Sequence, residues 1–200
     1  MREAGLQGRV VRVTRRQLGL KRFKTRGENL LRQMESPDDI NQVWVADVTY
    51  LKLDGKWQYL ATVMDQYSRR ILGWSLSSTR TTELTRAALT YALKKRGYPK
   101  DVIFHTDRGI EYTGAAFQAL LKQWDFKHSL NRPGYCTDNA FMESFFHSLK
   151  AKLIRGSLFK TVKTLHRALA KYINQFYNTV RLHSGIGYMS PIEYEQDLMP

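Results

Sequence analysis

The chain has 200 residues, a formal net charge of +14 and a pI near 10.0, which leaves room for one ordinary domain with arms. Hydrophobic residues at 42% and aromatics at 12% exclude a disordered basic tail, and the single Cys136 excludes a disulfide framework or a cysteine-rich zinc site. No run approaches the roughly 18 to 20 apolar residues of a membrane helix, and the opening MREAGLQGRVVRV has no apolar leader core, so a soluble cytoplasmic protein is expected.

Residues 1–26 hold nine Lys or Arg against the single acid Glu3, and turn chemistry at Ser36-Pro37-Asp38-Asp39 closes this region. The division expected is therefore a basic N-terminal arm over 1–40 and a folded core over 41–200. Strand character begins at Val43. The segments 43–53, 57–64 and 70–76 are rich in β-branched and aromatic residues, and short polar breaks at Asp54-Gly55-Lys56 and 65–69 predict an antiparallel meander. Residues 81–96 carry Leu84, Ala87, Ala88, Tyr91 and Ala92 at helical spacing, stopped by Gly97-Tyr98-Pro99. A short strand over 102–105 follows, then a helix over 114–124, a strand over 126–129 and a loop over 131–137. Two closing helices are predicted over 138–154 and 161–177. From Glu143 to Glu193 no acid intervenes, while eight Lys or Arg do. A chain basic at both ends around a nearly balanced middle suits a polyanion, and phosphate backbones are the commonest.

Strand alternation puts Val43, Val45, Asp47, Thr49 and Leu51 on one face and Trp44, Ala46, Val48 and Tyr50 on the other. A strand apolar on both faces lies inside a sheet, where a lone carboxylate such as Asp47 needs a partner, a cation being one candidate. Asp107 comes just after the short strand, in HTDRG, at the kind of strand end where sites form. On the helix from 138, Phe141, Met142, Phe145, Phe146, Leu149 and Leu153 make an apolar arc, with Asn139, Glu143, His147 and Lys150 beside it. Glu143 is thereby expected to approach Asp47 and Asp107 across the strand ends. Three carboxylates without a cysteine or histidine cluster favour Mg²⁺ or Mn²⁺ over zinc, and two such ions suit in-line displacement at phosphorus.

The strings VWVADVTYL, HTDRGIEYT, DNAFMESFFHSLK and YINQFYNTVRLHSGIGYMSPIEYE resemble the catalytic core of the OrfB-type DDE transposases of the IS-three insertion-sequence family, relatives of retroviral integrase. Asp107 and Glu143 stand 36 positions apart, the spacing of that family's Asp,Asp(35)Glu signature. The resemblance implies an α/β, ribonuclease-H-like fold, a mixed five-stranded sheet with flanking helices. It implies Asp47, Asp107 and Glu143 as catalytic residues and ligands of two Mg²⁺ ions. Hydrolysis at an element end would free a 3′-OH, which then attacks target DNA. Double-stranded DNA and a homo-oligomer assembled on it are the implied partners, with no membrane. The family's helix-turn-helix region is missing from this sequence, so residues 1–40 are read as the remnant of the segment that follows it.

Among supporting residues, Lys150 is expected to contact a phosphate near the scissile bond. Asn139 is expected to orient Glu143, to touch DNA or to cap its helix, and Arg181 to anchor the last helix or touch the DNA backbone. His105 and Asp65 are read as structural, Cys136 as a packed thiol, and Trp44, Trp57 and Trp74 as core. Two other readings remain at this level. One is a catalytically silent DNA-binding or inhibitory partner of a longer transposase; the other is a nuclease acting on RNA:DNA hybrids.

Overall fold

A computed structural model describes residues 27–198, apart from the side chains of Cys136 and Thr137. Residues 1–26 of the arm expected over 1–40, and the state of the Cys136 thiol, lie outside the described residues. The meander forms as β1 (Val43–Leu53), β2 (Lys56–Asp65) and β3 (Ile71–Ser77). Asp54 and Gly55 both take positive φ, 43° and 77°, the combination of a two-residue hairpin turn that follows the strand twist. Helix α1 (Thr82–Arg96) leads to β4 (Ile103–Thr106), the short α2 (Ile110–Thr113), α3 (Ala115–Gln123) and β5 (Lys127–Leu130).

The sheet order is β3-β2-β1-β4-β5, with the three meander strands antiparallel and β1, β4 and β5 parallel. β1 is central, as its two apolar faces require. Val43, Val45, Leu51 and Leu53 pack under the C-terminal helices, while Trp44 and Ala46 pack under α1 and α3. This is the mixed five-stranded, helix-flanked sheet of the ribonuclease-H-like fold.

Helix α4 (Ala140–Leu149) buries Met142, Phe145, Phe146 and Leu149 on the β1 face, then widens into a π-helical turn over Lys150–Ile154. Helix α5 (Val162–Lys171) runs likewise into a π-helical turn over Tyr172–Tyr177. A sixth helix, α6 (Pro191–Asp197), was not anticipated, although Ser190-Pro191-Ile192-Glu193 carries its signal. Ser190 Oγ caps the Glu193 N–H, Glu193 reaches back to the Ser190 N–H, and Pro191 needs no donor in the first turn.

Two side chains fasten this end of the chain to the sheet. Asn178 Oδ1 accepts from the Ile71 N–H at 2.9 Å and its Nδ2 donates to the Ile71 carbonyl at 3.0 Å, completing the edge strand β3 as a neighbouring strand would. Glu195 is 2% exposed and meets Ser68, Arg70 and Arg96. Asp65 lies beside it, fully buried, and accepts from the Asn41, Tyr67 and Ser68 N–H groups. Its expected structural role holds, as part of a larger ionic cluster.

α1 crosses the sheet directly over Gly73. A Cβ there would fall 2.1 Å from the Ala88 carbonyl oxygen and 2.7 Å from the Ala92 nitrogen, both backbone atoms that cannot step aside. Gly73→Ala is therefore expected to push α1 off β3 and cost about 3 kcal/mol, read as a lower urea midpoint at unchanged slope.

One core assignment fails. Trp44 is buried and Trp74 packs against the core, but Trp57 is 49% exposed near the hairpin tip.

Candidate active site

Asp47 sits on β1 on the face turned toward α4, and its Oδ1 accepts the Val48 N–H at 2.7 Å. Asp107 follows β4, the parallel neighbour of β1, and its Oδ1 accepts the Gly109 N–H at 2.9 Å. The two carboxylates are close enough to repel. Burial pushes the Asp47 carboxyl up to about 8, and the negative charges of Asp107 and Glu111 add to the shift. Burial also raises Asp107, with Glu111 contributing in the same direction.

Glu111 was not foreseen, though it lies inside the HTDRGIEYT string. It is 2% exposed and is held by Arg80, whose Nε donates to Oε1 at 2.7 Å. The same guanidinium reaches Asp107 Oδ2 at 3.7 Å. Arg80 therefore answers Glu111 first and Asp107 second, which leaves the Asp47–Asp107 pair poorly compensated. No sequence signal links position 80 to 111, because the pairing exists only once α1 and α2 are folded against the strand ends.

Asn139 is buried at the start of α4, and its Nδ2 donates to the Ala46 carbonyl at 3.0 Å, one residue before Asp47. Its side chain makes no cap bond. It ties the helix that carries Glu143 to the strand that carries Asp47. Glu143 itself points to the exposed side of α4. Among the described residues no three His, Cys, Asp or Glu side chains stand at metal-holding distance, so the structure brings Asp47 and Asp107 together without Glu143.

Lys150, at the head of the π-helical turn, is half-buried with its Nζ 4.6 Å from the Tyr50 ring centre. Burial lowers its affinity for the proton while Asp47 raises it, which puts the ammonium within electrostatic reach of that carboxylate. Arg181 bonds Ser148 on α4 and lies 5.6 Å from the Tyr177 ring, so it braces the last segment on α4. His105 is buried on Ser129 Oγ at 2.8 Å and does not hold Asp107; Ser129 Oγ also accepts the Leu30 N–H.

The sequence matches the integrase core domain model over residues 37–136 and a second integrase core domain model over residues 143–199. The chain belongs to the integrase core domain family. It is 44% identical over 168 residues to the transposase InsF for insertion sequence IS3A of Escherichia coli, covering 84% of this chain and 58% of that protein. It is 39% identical over 168 residues to the transposase for insertion sequence element IS904 of Lactococcus lactis, covering 66% of that protein. The expected kinship with IS-three transposases is thus borne out, and the chain spans about three fifths of the length of these relatives.

Among solved structures, a chain of the simian T-cell lymphotropic virus intasome in complex with PP2A regulatory subunit B56 gamma superposes with a TM-score of 0.69. The match has 18% identity and covers 88% of this chain and 60% of that one. The HTLV-2 integrase catalytic core domain in complex with magnesium, in its trimeric form, gives 0.60 at 19% identity over 77% of this chain and 95% of that one. These likenesses establish the integrase core fold. No helix among the described residues is long and apolar enough to cross a membrane.

Proposed function

We propose that this integrase core is the catalytic part of a DNA transposase, a polynucleotidyl transferase that cuts at the ends of an insertion sequence and joins them to target DNA. The observation that carries the reading is the pair of repelling carboxylates on adjacent parallel strands, Asp47 within β1 just past its pairing with β4 and Asp107 just after the end of β4. All their donors are hard oxygens and the nearest cation, Arg80, is already engaged by Glu111, so a divalent ion fits between them. The magnesium in the HTLV-2 relative's name agrees with that fit.

Asp47, Asp107 and Glu143 would hold two Mg²⁺ or Mn²⁺ ions. Carboxylates repel until a cation lies between them, which accounts for Glu143 standing apart. Bound there, such ions activate an attacking oxygen and stabilise a leaving one. The chain's own groups do the rest. Asn139 fixes the start of α4, the helix that carries Glu143, on β1. Arg80 and the Gly109 N–H orient Asp107, and Lys150 beside Asp47 meets a phosphate of the strand being cut. Arg181 assists by holding α4 in place and lends its positive charge to the DNA-facing side. Hydrolysis of one phosphodiester frees a 3′-OH, which then displaces another 3′ oxygen at phosphorus, and no covalent enzyme intermediate is required. Double-stranded DNA is the partner, and joining two ends calls for a homo-oligomer on it, working in the cytoplasm.

The test is strand joining by the isolated chain on a pre-cut element end. Joining to target DNA is expected in Mg²⁺ and absent in EDTA. DNA binding without joining under every metal would favour the silent, inhibitory reading instead.

A further inference from the structure

β4 pairs with β1 only at Val43–Val45, so the β1–β2 hairpin runs on beyond it and past Asp47. On that projection Tyr50 is 58% and Trp57 49% exposed, an unusual outlay of aromatic surface for a sheet whose neighbouring Leu51 and Leu53 are buried. The cross-strand register sets Tyr50 opposite Tyr59 and Lys52 opposite Trp57, which places Tyr50, Lys52 and Trp57 on one face, opposite the face that carries Asp47, with Lys150 in reach of both. The two rings meet edge to face, 5.2 Å apart. Between this hairpin and the π-helical turn lies a cleft of about 350 Å³, lined by Tyr50, Lys52, Trp57, Lys150, Ile154 and Arg155.

The charges around the rings point to the ligand. Lys150 lies 4.6 Å and Lys52 5.9 Å from the aromatic centres, Arg155 is exposed at the rim, and no acid lines the cleft. Aromatic faces interleaved with cations are how proteins bind single-stranded nucleic acid, the rings stacking on bases and the cations meeting phosphates. A duplex hides its base faces in its own stack, so such rings gain only from unpaired nucleotides. Lys150 connects the cleft to the chemistry, because it also feels the charge of Asp47.

We propose that the Tyr50–Trp57 cleft is a stacking site for unpaired nucleotides of a DNA end whose phosphodiester lies at Asp47 and Asp107. The site rests on the DNA-cutting reading above and adds to it a preference for ends that carry a short single-stranded tail. A partner protein docking an extended segment is the competing occupant, and it is disfavoured by a lining with three cations and no acid.

The experiment measures fluorescence anisotropy of the whole 200-residue chain in Ca²⁺. Three labelled probes are used: a blunt duplex, the same duplex with a three-nucleotide unpaired tail, and that tailed duplex with abasic tail positions. The native chain is expected to bind the base-bearing tail about tenfold more tightly than the abasic one. Tyr50→Ala/Trp57→Ala should erase that ratio and leave blunt-duplex binding within twofold, and Tyr50→Phe/Trp57→Phe should restore it. Equal binding of base-bearing and abasic tails by the native chain overturns the stacking site, as does a ratio that survives the double alanine change. A protein-docking cleft gives the first of these results. If no probe binds at all, the DNA-cutting reading falls and takes the stacking site with it, whereas equal binding of all three refutes the stacking site alone.

Discussion

Asp47→Asn is expected to give a chain that melts several degrees higher than the native one at pH 8 in EDTA and has lost at least about a thousandfold of its strand joining. The first half follows from linkage. The folded Asp47 carboxyl is pushed up to about 8 from its ordinary value near 3.8, first by burial and then by Asp107. Between those two values folding takes up a proton, so native stability falls as pH rises through that window. The amide carries no charge in either state and removes the penalty. The difference should shrink toward zero as pH falls below 3.8, where the acid is protonated folded and unfolded alike. Mg²⁺ should raise the native melting temperature at pH 8, since it binds the folded state alone, and leave Asp47→Asn unmoved. Asp107→Asn and Glu143→Gln should lose joining to the same degree while all three variants keep their affinity for DNA. Joining retained by all three would remove the catalytic assignment. An Asp47→Asn chain that melts below the native one at pH 8 would show the carboxylate to be a satisfied structural group.

That instability was written into the strand itself. Alternation along VWVADVTYL put an acid on a face of otherwise apolar residues, and only a central strand could have both faces apolar, so position and tension were readable together. The meander, the helix arc around Phe145 and the Asp107 strand end depend on short-range periodicity and were legible for the same reason. What was not legible depends on contacts between segments far apart. Arg80 meets Glu111 across 31 positions and Glu195 meets Arg70 across 125, and neither pairing leaves a periodic trace. Trp57 misled because an aromatic in a strand pattern is ordinarily core, and the pattern does not show that β4 stops short of the hairpin. The convergence of Glu143 was argued from helix phase. Phase puts Glu143 at the edge of the buried arc, but helix phase does not set how near its carboxylate comes to two like charges.

The largest expected effect on stability lies away from Asp47 and Asp107, at Glu195. Its two oxygens take Ser68 Oγ at 2.6 Å, Arg96 Nη1 at 3.0 Å and further contacts from Arg70 and Arg96, joining α6 to the β2–β3 turn and the end of α1. Burial pushes this carboxyl up, but Arg96, Ser68 and Arg70 together bring it below its ordinary range, so it is an anion in the fold. Asp65, 3.7 Å from Arg96, is the remaining acid of the cluster and is already shared among three backbone N–H groups. Glu195→Ala therefore strands the nearly buried Arg96 guanidinium with one distant counter-charge, and an uncompensated buried charge costs about 3 to 5 kcal/mol. A fall of roughly 10 °C in melting temperature is expected for a domain of this size. Arg96→Met alone should be comparably harmful, because it leaves the acid short of its closest partner. The double change Arg96→Met/Glu195→Leu should recover most of the loss, since apolar groups of similar volume need no counter-charge. Additive losses in the double variant would mean that the two side chains act separately and that α6 is held by its apolar contacts instead.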